Sequence, residues 1–242
     1  MSTIIITTGV PGCGKSYVRC ARFLYDSFLP DTNGVHYSNF PVNVDTLCDT
    51  LERRRKINLF SRFFVRHLPT AEDYKSRVKV IPEDVMRSWR DYTSGPWDYF
   101  KGLDLRYCHI ALDEIHEICR RDMPEDIYSK WDEFLGTIRH RGCTIEGLTQ
   151  DISLVSKCFV SRCSLRYELI PCEDLRDPFF KIPLGDWYQL KASFTGEYHK
   201  TVFLQEYMKQ GNGRFKKTDT RRFLIDPFYF DFYNSYSSCL SE

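Results

Sequence analysis

Gly9-Val10-Pro11-Gly12-Cys13-Gly14-Lys15-Ser16 is the stretch on which the fold turns. It fits the pattern G-x-x-x-x-G-K-[ST], a loop whose backbone N–H groups cradle phosphates. The residue types follow from that task. Glycines let successive amides turn inward, and the N-terminus of the helix that follows adds partial positive charge. Lys15 is expected to reach the β- and γ-phosphates, and the Ser16 hydroxyl to ligate Mg²⁺. Gly9, Val10, Pro11, Gly12, Cys13, Gly14, Lys15 and Ser16 are thus the expected binding residues, with ATP and Mg²⁺ as the expected ligands. The context agrees. A β-branched run, Thr3-Ile4-Ile5-Ile6-Thr7-Thr8, precedes the loop, as in a strand buried on both faces. Val18, Ala21, Leu24, Tyr25 and Phe28 follow it at helical spacing, until Pro30-Asp31-Thr32-Asn33-Gly34 stops the helix.

Such a loop needs a second Mg²⁺ anchor at the tip of another strand. Asp113 stands in that position, after the apolar run His109-Ile110-Ala111-Leu112. Glu114 comes next, where a carboxylate can polarise a water attacking the γ-phosphate. Alternatively the two acids cap the helical segment that begins at Ile115. A water-polarising carboxylate suits a hydrolase better than a kinase, which must exclude water. Hydrolysis is favoured.

Further strands are expected at Val35 to Asn39, Val78 to Ile81, Thr144 to Thr149 and Ser164 to Leu169. An amphipathic helix carries Ile127, Trp131, Phe134, Leu135 and Ile138. Strands alternating with helices predict an α/β fold, a P-loop NTPase with a mainly parallel sheet. Beyond about residue 180 the texture changes. Tyr188 to Phe194 and Glu197 to Tyr207 flank Thr195-Gly196 like a hairpin, and Gly211 to Arg222 reads as a polar loop. The expected organisation is an ATPase core over 1–180 and a β-rich, aromatic C-terminal extension over 181–242.

Composition narrows the class. The chain has 242 residues, with 34 Lys and Arg against 33 Asp and Glu, a net charge of +1. No global field recruits nucleic acid or an acidic membrane, so any such binding needs a local patch. With 42% hydrophobic and 28% charged residues the chain is neither disordered nor of low complexity. Ten cysteines are scattered singly and read as apolar fillers kept reduced in a cytosol. The start MSTIIITTG lacks the basic region of a signal peptide, and no apolar run is long enough to span a membrane. The expected location is cytoplasmic.

Taken together, the sequence resembles the zonular occludens toxin-like ATPases of the FtsK/HerA group, which filamentous phages use in virion assembly and DNA export. The resemblance runs through Gly9 to Ser16, Ser38-Asn39-Phe40-Pro41-Val42-Asn43, Ala111 to His116, Arg139-His140-Arg141-Gly142 and Leu148-Thr149-Gln150-Asp151. Weaker echoes lie in Thr195 to Lys200 and Tyr229 to Ser235. It implies an additional-strand core, with the Gln150 strand inserted between the Gly9 and Asp113 strands. Gln150 would then touch the γ-phosphate or the attacking water, unless it only caps the next helix. Arg139 and Arg141 resemble the family's arginine finger, Arg141 being preferred as the catalytic one; equally they could complement the helix dipole. Implied partners are a homo-oligomeric ring, single-stranded DNA and virion-assembly proteins. Phage members usually carry a transmembrane helix after the ATPase domain; none is seen in this chain, so membrane contact would come through partners.

Two weaker signals are present. His116-x-x-Cys119 and His140-x-x-Cys143 could form a zinc site only if brought together. Arg53-Arg54-Arg55-Lys56, with Arg62, Arg66 and the interleaved Phe60, Phe63 and Phe64, could grip a nucleic acid or be a solvated helix face.

Overall fold

The computed structural model describes residues 3–58, 67–171, 201–224 and 227–232. Strand β1 (Ile4–Gly9) is buried along nearly its whole length, as a β-branched run between two parallel neighbours must be. It feeds the phosphate loop and then helix α1 (residues 15–31), which is wound in the wider π fashion over Tyr17–Arg22 and Leu24–Phe28. Val18, Ala21, Leu24, Tyr25 and Phe28 are all buried on its inner face. Next come β2 (His36–Ser38), α2 (Val44–Ile57), α3 (Ala71–Lys75), β3 (Val78–Val80), α4 (Glu83–Arg90) and α5 (Pro96–Tyr99). The chain continues with β4 (His109–Leu112), α6 (Glu125–His140), β5 (Thr144–Thr149), α7 (Lys157–Arg162) and β6 (Leu165–Pro171). After the undescribed 172–200 follow β7 (Thr201–Lys209), β8 (Phe215–Leu224) and a 3₁₀ turn at Pro227–Phe232.

One eight-stranded sheet runs in the order β3-β2-β4-β5-β1-β6-β7-β8. The first six strands in that order are mutually parallel, while β7 and β8 are antiparallel. β5 lies between β4 and β1, with Leu112 opposite Gly147 and Thr8 opposite Thr149. The inserted strand implied by the family resemblance is therefore present. Helices cover both faces. On one, Trp131, Phe134 and Ile138 of α6 pack with Ile4, Ile6, Ile110 and Ile145. On the other, Val18, Leu24 and Phe28 of α1 pack with Leu47 and Leu51 of α2. Trp131 is 1% exposed, so its truncation to alanine would cost about 3–5 kcal/mol.

Two expectations change at the C-terminal end. The hairpin that is seen joins β7 to β8 around Gly211-Asn212-Gly213, and the first arm of the expected one lies outside the described residues. The polar loop is confined to residues 210–214, because Lys216, Lys217, Arg221 and Arg222 belong to β8. Charges placed along an edge strand discourage pairing with another chain, and they imitate a loop in the sequence. Part of the basic run also finds internal work. Arg55 Nη2 donates to Pro30 O at 2.7 Å and Arg54 Nη1 to Tyr25 O at 3.3 Å, so both satisfy carbonyls near the end of α1. Phe60, Arg62, Phe63, Phe64 and Arg66 lie outside the described residues. The described cysteines are free thiols, all buried. No described helix is long and apolar enough to cross a membrane.

Candidate nucleotide site

The loop between β1 and α1 carries the conformations a phosphate cradle needs. Gly12 and Gly14 have φ of +70° and +87°, a region that L side chains rarely adopt, and this turns successive amides to one side. Gly9 is required by close approach, since a Cβ there would lie 2.6 Å from Cys13 Sγ and 2.8 Å from Leu169 O. Cys13 is buried beneath the loop, and its amide donates to Val10 O at 3.2 Å, which closes the turn. Lys15 is only 8% exposed; its ammonium donates to Gly9 O at 2.8 Å and Val10 O at 3.4 Å.

Topology brings the second element alongside. Because β1, β4 and β5 run parallel, residues just past their C-terminal ends gather around the loop. Ser16 Oγ donates to Asp113 Oδ2 at 2.8 Å. A hydroxyl and a carboxylate side by side are the hard oxygen donors that suit Mg²⁺. Burial pushes the Asp113 carboxyl above its ordinary range, the bond from Ser16 opposes this, and the Glu114 charge adds to it. A divalent cation between the donors would offset that strain, so the residues fit the metal.

Glu114 sits at φ 48°, ψ 48°, an uncommon conformation for a residue with a side chain. Its Oε1 accepts Gln150 Nε2 at 3.1 Å, and its Oε2 lies 3.3 Å from His116 Nδ1. His116 also contacts Thr149 Oγ1 at 3.1 Å. Gln150 is not the cap of the following turn. That task falls to Asp151, which accepts from Ser153 N at 2.8 Å. Lys15, Ser16, Asp113, Glu114 and Gln150 thus form one cluster.

Arg141 does not join it. Arg139 and Arg141 are exposed at the C-terminal end of α6, just before β5 begins, so they lie at the opposite end of the sheet from the loop. The two half-sites weighed for zinc separate in the same way: His116 is beside Thr149 at the end of β5, while His140 precedes its start.

Several residues at the site carry no expected role from the sequence, although Asn39 falls in the Ser38–Asn43 stretch of the resemblance. Asn39 brackets the Asp113 peptide, donating from Nδ2 to Asp113 O (2.9 Å) and accepting at Oδ1 from Asp113 N (2.6 Å). One turn beyond Ser16, Arg19 makes a two-pronged ion pair with Glu146 of β5, at 2.7 and 2.9 Å. Glu146 is fully buried; Thr7 Oγ1 donates to it at 2.5 Å, and His109 Nε2 lies 3.3 Å away. Burial alone would raise this carboxyl, but Arg19 and His109 more than reverse that and hold it down at about 2. His109 Nδ1 is 3.0 Å from Nδ1 of His36, which burial keeps neutral, well below its ordinary range, with His109 adding to the effect. The helix that carries the loop is thereby locked to the inserted strand.

A strand running into a glycine-rich phosphate loop, a half-buried aspartate at the tip of a non-adjacent strand, and a third strand inserted between them define a P-loop NTPase fold of the additional-strand type. No family model and no curated protein sequence matches the chain. Among solved structures, the N-terminal domain of zonular occludens toxin from Neisseria meningitidis is similar to it, with a TM-score of 0.51 at 16% identity. The match covers 97% of this chain and 100% of that one. Lower scores join it to the genome packaging NTPase B204 of Sulfolobus turreted icosahedral virus 2 (TM-score 0.44, 15% identity, 90% and 97% covered). The flagellar accessory protein FlaH of Methanocaldococcus jannaschii gives a TM-score of 0.49 at 13% identity, with 93% and 85% covered. The first likeness bears out the family resemblance at the level of the fold. None of the three speaks to activity.

Proposed function

We propose that this protein is a Mg²⁺-dependent ATP hydrolase whose output is force on DNA or on a virion-assembly complex. The observation that carries the reading is the side-chain cluster in front of the loop: Ser16 bonded to Asp113, and Glu114, next in the chain, bonded to Gln150. Lys15 and the amides of Gly12 to Ser16 bind the phosphates. Ser16 and Asp113 would hold Mg²⁺, which when bound neutralises charge on the transferring phosphoryl group. Glu114 takes the proton of the attacking water, and Gln150 orients both that carboxylate and the γ-phosphate. The work on DNA or virion proteins is supported by the sequence resemblance. Residues 1–180 would serve as the ATPase core and 181–242 as its extension, in the cytosol, with Arg141 serving a neighbouring subunit of a ring.

Phosphate release from ATP, measured with and without single-stranded DNA, tests this. Turnover that requires Mg²⁺ and rises with DNA is expected. Transfer of the γ-phosphoryl group to an acceptor, with little release in water, would mark a nucleotide or small-molecule kinase instead. Tight binding with negligible turnover would mark a nucleotide-gated scaffold.

A further inference from the structure

The aromatic segment at Pro227–Phe232 is tied to the helix that carries the phosphate loop. Tyr229 is buried and its hydroxyl donates to Asp26, at 2.9 and 3.1 Å from the two carboxylate oxygens. The Arg22 guanidinium lies 5.6 Å from the centroid of the Tyr229 ring and 4.8 Å from that of Phe223. Phe232 is buried, stacks on Tyr25 at 5.3 Å, and accepts a bond from Asn43 N through its carbonyl at 3.0 Å. With two of its rings anchored, the turn leaves two others outside: Phe228 at 40% exposure and Phe230 at 52%.

Only one of these exposed rings is near the loop. Phe230 lies 5.5 Å from the ring of Tyr17, the residue immediately after Ser16. Phe228 lies against Tyr25, two helical turns farther on. The site has a direction. Asp113, Glu114 and Gln150 mark the end where a γ-phosphate would react. The α-phosphate of a nucleotide in such a loop rests against the first turn of the following helix, so the nucleoside leaves past Tyr17. An exposed aromatic face fixed beside that exit matches the flat, apolar faces of a purine base.

We propose that Phe230 is the surface on which the base of the bound nucleotide stacks, so that the C-terminal segment supplies nucleoside recognition to the phosphate loop. This rests on the nucleotide reading above. The device has a physical rationale: anchoring through Tyr229 and Phe232 fixes the ring before ligand arrives, which lowers the ordering cost of binding.

The test compares ATP with inorganic tripolyphosphate, which carries the phosphates without a base. Affinities for both, with Mg²⁺, are measured by calorimetry on the full chain as wild type, Phe230→Ala and Phe230→Tyr. Stacking on an aromatic side chain predicts that Phe230→Ala weakens ATP by about tenfold or more. Phe230→Tyr should retain wild-type ATP affinity, and all three proteins should bind tripolyphosphate alike. Unchanged ATP affinity in Phe230→Ala overturns the proposal, as does an equal loss for ATP and tripolyphosphate, which would mean the segment merely props the loop. If wild type binds neither ligand, the nucleotide reading itself has failed and the base platform falls with it.

Discussion

Gln150, at the end of the inserted strand, donates its side-chain amide to the Glu114 carboxylate at 3.1 Å. Glu114 needs such a holder, because it follows Asp113 in a left-handed backbone conformation that few residues with side chains adopt. A strand placed between β1 and β4 is what puts the amide within reach. The insertion is thus more than a topological label; it delivers a hydrogen-bond donor to the carboxylate that would activate water.

Glu114→Gln should bind MgATP as wild type does and release phosphate about 10²–10⁴-fold more slowly, because only the proton acceptor is removed. Gln150→Ala should lower kcat by less and leave the KM for ATP nearly unchanged, since it frees Glu114 without removing it. Steady-state kinetics with a separate nucleotide-binding assay reads both. Wild-type turnover in Glu114→Gln would show that this carboxylate takes no part in hydrolysis.

Acid should weaken the fold in two steps. The unfolded chain protonates His36 below its ordinary value of 6.5, whereas burial keeps the native ring neutral well below that. His36 therefore contributes stability that is present above about pH 6.5 and is lost as pH falls. Glu146 behaves likewise at lower pH: its contribution is intact above the ordinary 4.5 and disappears as pH approaches about 2. Glu146→Gln should remove the second step and destabilise the protein by about 3–5 kcal/mol at neutral pH, since Arg19 is left buried without its partner. Urea midpoints measured from pH 3 to 8 check both steps. A flat profile would show that the buried network contributes nothing to folding.

Arg141 lies at the far end of the sheet from Lys15, so any part it takes in hydrolysis must be played in another subunit's site. Arg141→Ala and Lys15→Ala should each be inactive alone and should recover activity on mixing, because some interfaces then pair an intact loop with an intact arginine. An arginine supplied from a neighbour is worth about 10³–10⁵-fold in other P-loop enzymes, so recovery should be plain. Mixed assembly without recovery would leave Arg141 a helix-end residue.

Residues joined by local spacing were legible in the sequence, and residues joined only by the sheet were not. The eight-residue loop announces its chemistry, and Asp113 follows from an apolar run ending in an acid. Asn39 falls in a stretch of the family resemblance that assigns it no role, and Arg19 and Glu146 fall in no motif, because their partners lie 74 and 127 residues away and meet them only across adjacent strands and a helix. Glu146 did carry a faint signal. A lone acid in Thr144-Ile145-Glu146-Gly147-Leu148, in a strand expected at the centre of a parallel sheet, must find a cation. The edge strand β8 misled for the opposite reason: its charges protect an exposed edge and so read as loop.

Lys15 is the residue whose loss decides whether the loop binds and hydrolyses ATP. Its ammonium is nearly buried over the loop and bonded to the carbonyls of Gly9 and Val10, where bound phosphate would draw it. Mg²⁺-dependent phosphate release should be measured for wild type and for Lys15→Ala, with circular dichroism and thermal unfolding to confirm that the variant folds. Lys15→Ala is expected to fold and to lose turnover, as the proposed function requires. A folded variant that still hydrolyses ATP at the wild-type rate would contradict it.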